Sequence, residues 1–138
     1  MKFLILIISI ITILTDPVLI KNEWIRNSTK GTNTACFMDI INNSTKNDTL
    51  IKVSSKIAEI TEIHETFTEG DKMGMRKINF LVIPAKTTLS LKPRHHHIML
   101  INLLKDLKVG NVEKISLQFS SGKKIELEVP VKSMIKNK

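Results

Sequence analysis

Hydrophobic and polar positions alternate with a period of two along much of this chain. The pattern is clearest in Ile115-Ser116-Leu117-Gln118-Phe119 and again in Ile125-Glu126-Leu127-Glu128-Val129, with Ser120-Ser121-Gly122 between them. Two such runs around a short turn predict a β-hairpin with one buried face. Other short runs rich in Ile, Val and Thr are punctuated by Asn42-Asn43, Glu69-Gly70-Asp71, Pro84, Pro93 and Val109-Gly110-Asn111. This spacing predicts strands over 19–26, 34–41, 49–54, 57–67, 73–82, 87–91, 97–103, 112–119 and 123–131. Leu103 to Leu107 predicts a single helical turn, and no long helix is expected. The pattern as a whole predicts one all-β domain, a sandwich or barrel.

The N-terminus breaks this pattern. Met1-Lys2 is followed by an almost unbroken Ile, Leu and Phe run from Phe3 to Leu14. One positive charge and then about 12 apolar residues fit the first two regions of a signal peptide. The run is short for a bilayer span. Residues 1–17 are therefore expected to be a signal peptide or an uncleaved N-terminal anchor, with the folded domain over 18–138. No cysteine follows the run closely, so lipid attachment at a leader exit is not expected.

Composition narrows the classes further. The chain has 138 residues, 42% of them hydrophobic, enough for a core without disulfides. Its single cysteine, Cys36, lies in the apolar run Thr34-Ala35-Cys36-Phe37-Met38-Asp39-Ile40 and is expected to be a buried small hydrophobe. The net charge is +8, but aromatic residues make up 4% and tyrosine is absent, so there is no stacking platform for single-stranded nucleic acid. The lysines are scattered and accompany abundant Asn and Ile, as biased coding produces. Nucleic acid is excluded as a partner, and a monomer is expected.

The candidate chemistry lies in the scarce residues. The chain holds four His and six Met. Four of these ten fall in the pattern H-x10-M-x21-H-x-M, as His64, Met75, His97 and Met99. A chance match to a fixed pattern at such frequencies is on the order of a few in ten thousand. A two-residue turn at Glu69-Gly70 would pair His64 with Met75 across a hairpin. His97 and Met99, two apart on one strand, share a face. Thioether sulfur is soft and imidazole borderline, so two of each suit Cu(I) and suit Mg, Ca or Mn poorly. Zinc prefers thiolate or carboxylate to thioether. Imidazoles must be neutral to bind, so affinity should fall as the pH drops through about 6. His95 and His96 are expected in an exposed loop, with a secondary Cu(II) site as their functional alternative. Met73 is expected to pack, with an auxiliary ligand role as its alternative.

These residues, with their surroundings, resemble the periplasmic copper chaperone family called PCuAC. The resemblance spans roughly Trp24 to Val131. It includes Ile63-His64-Glu65, Met73-Gly74-Met75-Arg76, Leu91-Lys92-Pro93, His97-Ile98-Met99-Leu100 and Val129-Pro130-Val131. It implies a cupredoxin-like Greek-key β-barrel or sandwich. It also implies a Cu(I) site near the surface on His64, Met75, His97 and Met99. The function it implies is delivery of copper toward the dinuclear centre of cytochrome c oxidase. The implied partners are a copper-donating or copper-accepting periplasmic protein, such as the oxidase copper subunit or its assembly factor. One departure stands out: Arg94-His95-His96 precede His97 where the family usually has small residues. The H-x-M spacing selects His97, because His96 would point to the other face.

The leading expectation is thus a non-enzymatic Cu(I) carrier in the periplasm. A copper buffer without a dedicated acceptor and a metal-free interaction module on the same fold are the alternatives. A metalloenzyme is disfavoured because no general base or open-site carboxylate accompanies the ligands.

Overall fold

The computed structural model describes residues 17–134. The expected leader over 1–17 therefore lies outside the described residues, save for Pro17, whose carbonyl accepts a hydrogen bond from the Asn43 amide at 2.7 Å. Ten strands are described: β1 Val18–Arg26, β2 Thr34–Asn42, β3 Asp48–Ser54, β4 Ala58–Glu69, β5 Lys72–Ile78, β6 Leu81–Ile83, β7 Thr87–Leu91, β8 His97–Leu103, β9 Val112–Phe119 and β10 Lys124–Lys132. The fold is all-β, as the alternating pattern predicts.

The strands hydrogen-bond in the order β5-β4-β8-β2-β1-β10-β9-β3-β6, with β7 pairing beside β2. All the pairings among the described residues are antiparallel except β1 with β10. That parallel pair joins two halves that close on one core as a sandwich. Cys36, Met38, Ile40, Ile63, Ile98 and Leu100 enter the core from the β4-β8-β2 half. Leu50, Ile83, Ile115, Leu117, Phe119 and Val129 enter it from the other. The β9–β10 hairpin forms as expected, with Leu117 opposite Ile125 and Ile115 opposite Leu127. Cys36 is fully buried, and burial pushes its thiol far above the ordinary range.

Two expectations are corrected. The strand expected over 73–82 is two strands. Lys72–Ile78 pairs with β4, whereas Leu81–Ile83 crosses to pair with β3. Asn79 and Phe80 make the crossing, and the lone Asn79 is a weaker turn signal than the Gly, Pro and paired Asn that mark the other breaks. The helical turn expected over Leu103–Leu107 is absent. Leu103 ends β8, and Leu107 instead forms an isolated antiparallel bridge with Ser28, with reciprocal backbone bonds of 3.2 and 2.8 Å.

A bulge in β1 decides which side chains reach the outer face beside β2. Lys21 pairs with Asp39 but Trp24 pairs with Phe37, so β1 carries one extra residue between them. Asn22 absorbs it at φ 55, and its side-chain amide donates to Asp39 at 2.8 Å. The extra residue inverts the alternation. Val18 and Ile20 face the core before the bulge and Ile25 faces it afterwards. Trp24 is thereby turned to the outer face beside Phe37.

Candidate functional site

The four sequence-predicted residues stand on the outer face of the β5-β4-β8 sheet, opposite the core. On β8, Ile98 and Leu100 point inward, so His97 and Met99 point outward. On β4, Ile63 points inward and Glu62, His64 and Thr66 outward. Directly opposed residues share a face: His64 lies opposite His97, and Glu62 opposite Met99. The His64 and His97 rings are 5.7 Å apart between centroids.

Met75 reaches this face in a register other than the expected one. The hairpin loop is Gly70-Asp71, with Gly70 at φ 59, and Glu69 pairs with Lys72. Met75 therefore lies opposite Thr66, and His64 lies opposite Lys77. The slip from the expected register is two residues along the partner strand, one full period, so His64 and Met75 still share a face. They are diagonal rather than direct neighbours.

Met75, His97 and Met99 line one cleft of about 620 Å³, with Thr66, Phe37, Ala35 and Arg94 among its other walls. His64 does not line this cleft and adjoins it only through its contact with the His97 ring. Exposure is uneven across the site. His97 is 3% exposed and Met75 57%. Although it points away from the core, His97 is covered by Phe37, whose ring centroid lies 6.4 Å away, and Phe37 is in turn backed by Trp24 at 4.8 Å. The cover over His97 thus comes from β2, and the β1 bulge supplies the Trp24 ring that backs it. Burial holds the His97 imidazolium below its ordinary range; the His95 carbonyl opposes this, while His64 and His96 add to it.

Two buried side-chain nitrogens here have no hydrogen-bond partner, His64 Nδ1 and His97 Nε2. The opposite nitrogen of each ring is engaged. His64 Nε2 lies 2.8 Å from Glu62 Oε2, and His97 Nδ1 lies 3.1 Å from the His95 carbonyl. Unpartnered buried polar atoms are uncommon and costly, about 1–3 kcal/mol each. Two on facing rings, beside two thioethers, form a donor set for a soft ion. The fit rests on this geometry, since no cluster of three His, Cys, Asp or Glu able to hold a metal occurs among the described residues.

The neighbouring candidates separate. His95 is exposed in the bend before β8 and contributes its carbonyl, which also accepts from the Thr66 amide at 3.3 Å and the Thr66 hydroxyl at 3.1 Å. His96 points to the other side, 3.7 Å from Glu65. Met73 is 63% exposed and does not pack, contrary to expectation. Two residues of the site escape a reading of the sequence alone. Glu62 engages His64, and that hydrogen bond, aided by Lys77 at 3.6 Å, holds its carboxyl below the usual range against partial burial. Met134, just past β10, lines the cleft with Met75 and Met99. The spacing Glu62-x-His64 is a signal for the first; nothing local marks the second.

Comparison with known proteins agrees with this frame. A family model described as "Putative lipoprotein LpqE-like" matches residues 18–131. A curated relative, "Putative lipoprotein Lxx21020" of Leifsonia xyli, is 34% identical over 119 residues, covering 85% of this chain and 70% of that protein. Among solved structures, the copper-bound PCuAC domain from PmoF2 superposes with a TM-score of 0.72 at 19% identity, covering 87% of this chain and 96% of that one. The Cu(I) form of DR1885 from Deinococcus radiodurans superposes with a TM-score of 0.68 at 28% identity, covering 82% of this chain and 76% of that one. The fold is thus the PCuAC β-sandwich.

Proposed function

This chain is a member of the LpqE-like family, and from that premise we propose that it binds Cu(I) through His64, Met75, His97 and Met99 and carries it outside the cytoplasm. The observation that carries the reading is the pair of unpartnered nitrogens, His64 Nδ1 and His97 Nε2, on facing rings of one sheet face. The Cu(I)-bound state of DR1885 on the same fold supports it.

The chemistry follows from the donors. Two imidazoles and two thioethers are neutral and suit a soft monovalent ion. The set has no thiolate: Cys36 is buried on the opposite side of the sheet. Ligand exposure suits transfer. His97 is locked under Phe37, whereas Met75 sits on edge strand β5, open to solvent. An acceptor can replace Met75 first while the imidazoles still hold the ion, so the ion passes through shared coordination and is never free. We read the protein as a carrier and not a catalyst.

Export is supported by the apolar run Phe3–Leu14 and by the lipoprotein names of its relatives. Cys36 lies within β2 and is no lipid acceptor at a leader exit. The destination we propose is the periplasm, and the acceptor a copper protein such as the cytochrome c oxidase copper subunit or its assembly factor.

The test is titration with Cu(I) against a competing chelator. One equivalent bound, and lost in His97→Ala, supports the reading; no binding overturns it in favour of a metal-free interaction module. Mixing loaded protein with the apo copper domain of an oxidase then separates a chaperone, which transfers its ion, from a buffer, which retains it.

A further inference from the structure

The two histidines are held by different partners at different ring positions. Glu62 Oε2 sits 2.8 Å from His64 Nε2. The His95 carbonyl sits 3.1 Å from His97 Nδ1. A carboxylate and a carbonyl only accept, so in each neutral ring the engaged nitrogen carries the proton. The lone pair is then forced onto the other nitrogen, Nδ1 in His64 and Nε2 in His97, the same two atoms left without partners.

From this we propose that Glu62 is a positioning residue for copper binding, which fixes His64 in the Nε2–H tautomer so that it offers Nδ1, while the His95 carbonyl fixes His97 in the opposite tautomer. The inference rests on the Cu(I) reading of the site. Free imidazole populates both tautomers, and a ring in the wrong one points a proton at the ion. An outer hydrogen bond removes that choice before the ion arrives and raises the basicity of the donor nitrogen. Glu62 is itself held, because Lys77 Nζ lies 3.6 Å from its second oxygen. That lysine stands directly opposite His64 on β5, so the β4–β5 register places the whole chain Lys77–Glu62–His64.

The arrangement also supplies charge. Four neutral ligands around Cu(I) leave a net positive centre in a half-buried site. A carboxylate one hydrogen bond away offsets it without entering the coordination shell. His97 has only a neutral carbonyl behind it, so the two histidines are unequal donors.

Long-range nitrogen–proton NMR of the full metal-free chain reads the tautomers directly. The expected result is His64 protonated at Nε2 and His97 at Nδ1; His64 protonated at Nδ1 overturns the proposal. In Glu62→Leu, His64 should relax to a mixture of tautomers and Cu(I) affinity should fall about tenfold to a hundredfold, the range for removal of an outer-shell partner. Glu62→Gln keeps an accepting oxygen, so it should retain the tautomer and lose less affinity. Unchanged tautomer and affinity in Glu62→Leu would sink the role of Glu62 while leaving the copper site standing. Absence of Cu(I) binding by the unaltered chain would sink the copper reading instead, and the tautomer measurement, which needs no metal, separates the two failures.

Discussion

Met75→Leu separates ligand chemistry from folding more cleanly than any other change at this site. Full burial of a Leu or Met side chain contributes about 1.5–3 kcal/mol. Met75 is 57% exposed, so less than half of that is engaged. Leucine restores nearly all of the same apolar surface, and such volume-conserving swaps are well tolerated. The expected stability change is below about 0.5 kcal/mol, the scale for exposed positions, and the thermal midpoint should move by no more than about 3 °C. Copper binding should respond very differently. Removing an outer-shell group alone costs about tenfold to a hundredfold in metal affinity. Loss of a thioether from the shell itself should therefore cost at least about tenfold, or about 1.4 kcal/mol. The assay is chelator competition for Cu(I), run beside a thermal melt of the same preparation. Met73→Leu is the matched control. Met73 shares the β5 strand and is 63% exposed, but it does not line the cleft, so its variant should bind as the unaltered chain does. A Met75→Leu protein that melts normally and binds Cu(I) as tightly as the unaltered chain refutes the assignment of Met75.

Other consequences are open to direct measurement. Burial depresses the His97 imidazolium in the folded state, so the folded chain binds fewer protons there than the unfolded chain. Stability of the metal-free protein should therefore fall as the pH drops below about 6.5. Urea melts from pH 7.5 down to 5 should show a smaller fall in His97→Leu, and an equal fall in both proteins would contradict this origin. Asp48 is buried, which disfavours its charge. Bonds from the Ser121 hydroxyl at 2.6 Å, the Thr49 amide at 2.8 Å and the Ser121 amide at 3.2 Å nonetheless hold its carboxyl below the usual range. Its contribution is present at neutral pH and lost as the pH falls through the acidic carboxylate range, and Asp48→Ala should cost about 1.5–3 kcal/mol in a urea melt at pH 7. Phe119→Ala, at a site 1% exposed, should cost about 3–5 kcal/mol by the same measure. Cys36 should resist thiol reagents in the folded chain and react once urea unfolds it.

The fold is legible wherever side-chain alternation alone decides the outcome. Ile115 to Phe119 and Ile125 to Val129 predict their hairpin because one face is buried and a one-residue slip would expose it. The same periodicity protects the placement of Met75. The turn expected at Glu69-Gly70 lies one residue early, yet the resulting slip of two residues preserves the face. Features that alternation cannot express are not legible. The switch of partner between Ile78 and Leu81 depends on which distant strand each segment meets. The Trp24 ring behind Phe37 is aimed by a β1 bulge at Asn22, whose positive φ shows only in the structure. The hydrogen bond to His97 comes from a backbone carbonyl, which residue types do not reveal. The spacing singles out the four candidate ligands, whereas their unequal burial comes from a neighbouring strand that the motif does not contain.

The row of rings running from Trp24 through Phe37 to His97 also makes this chain its own optical sensor. Trp24 is the only tryptophan and there is no tyrosine, so near-ultraviolet emission comes from essentially one indole. An ion held at His97 lies two ring contacts from that indole, so any shift of Phe37 on loading reaches the indole's surroundings. Loading, unloading and hand-over to an acceptor are thus expected to register as changes in intrinsic fluorescence, in real time and without a label.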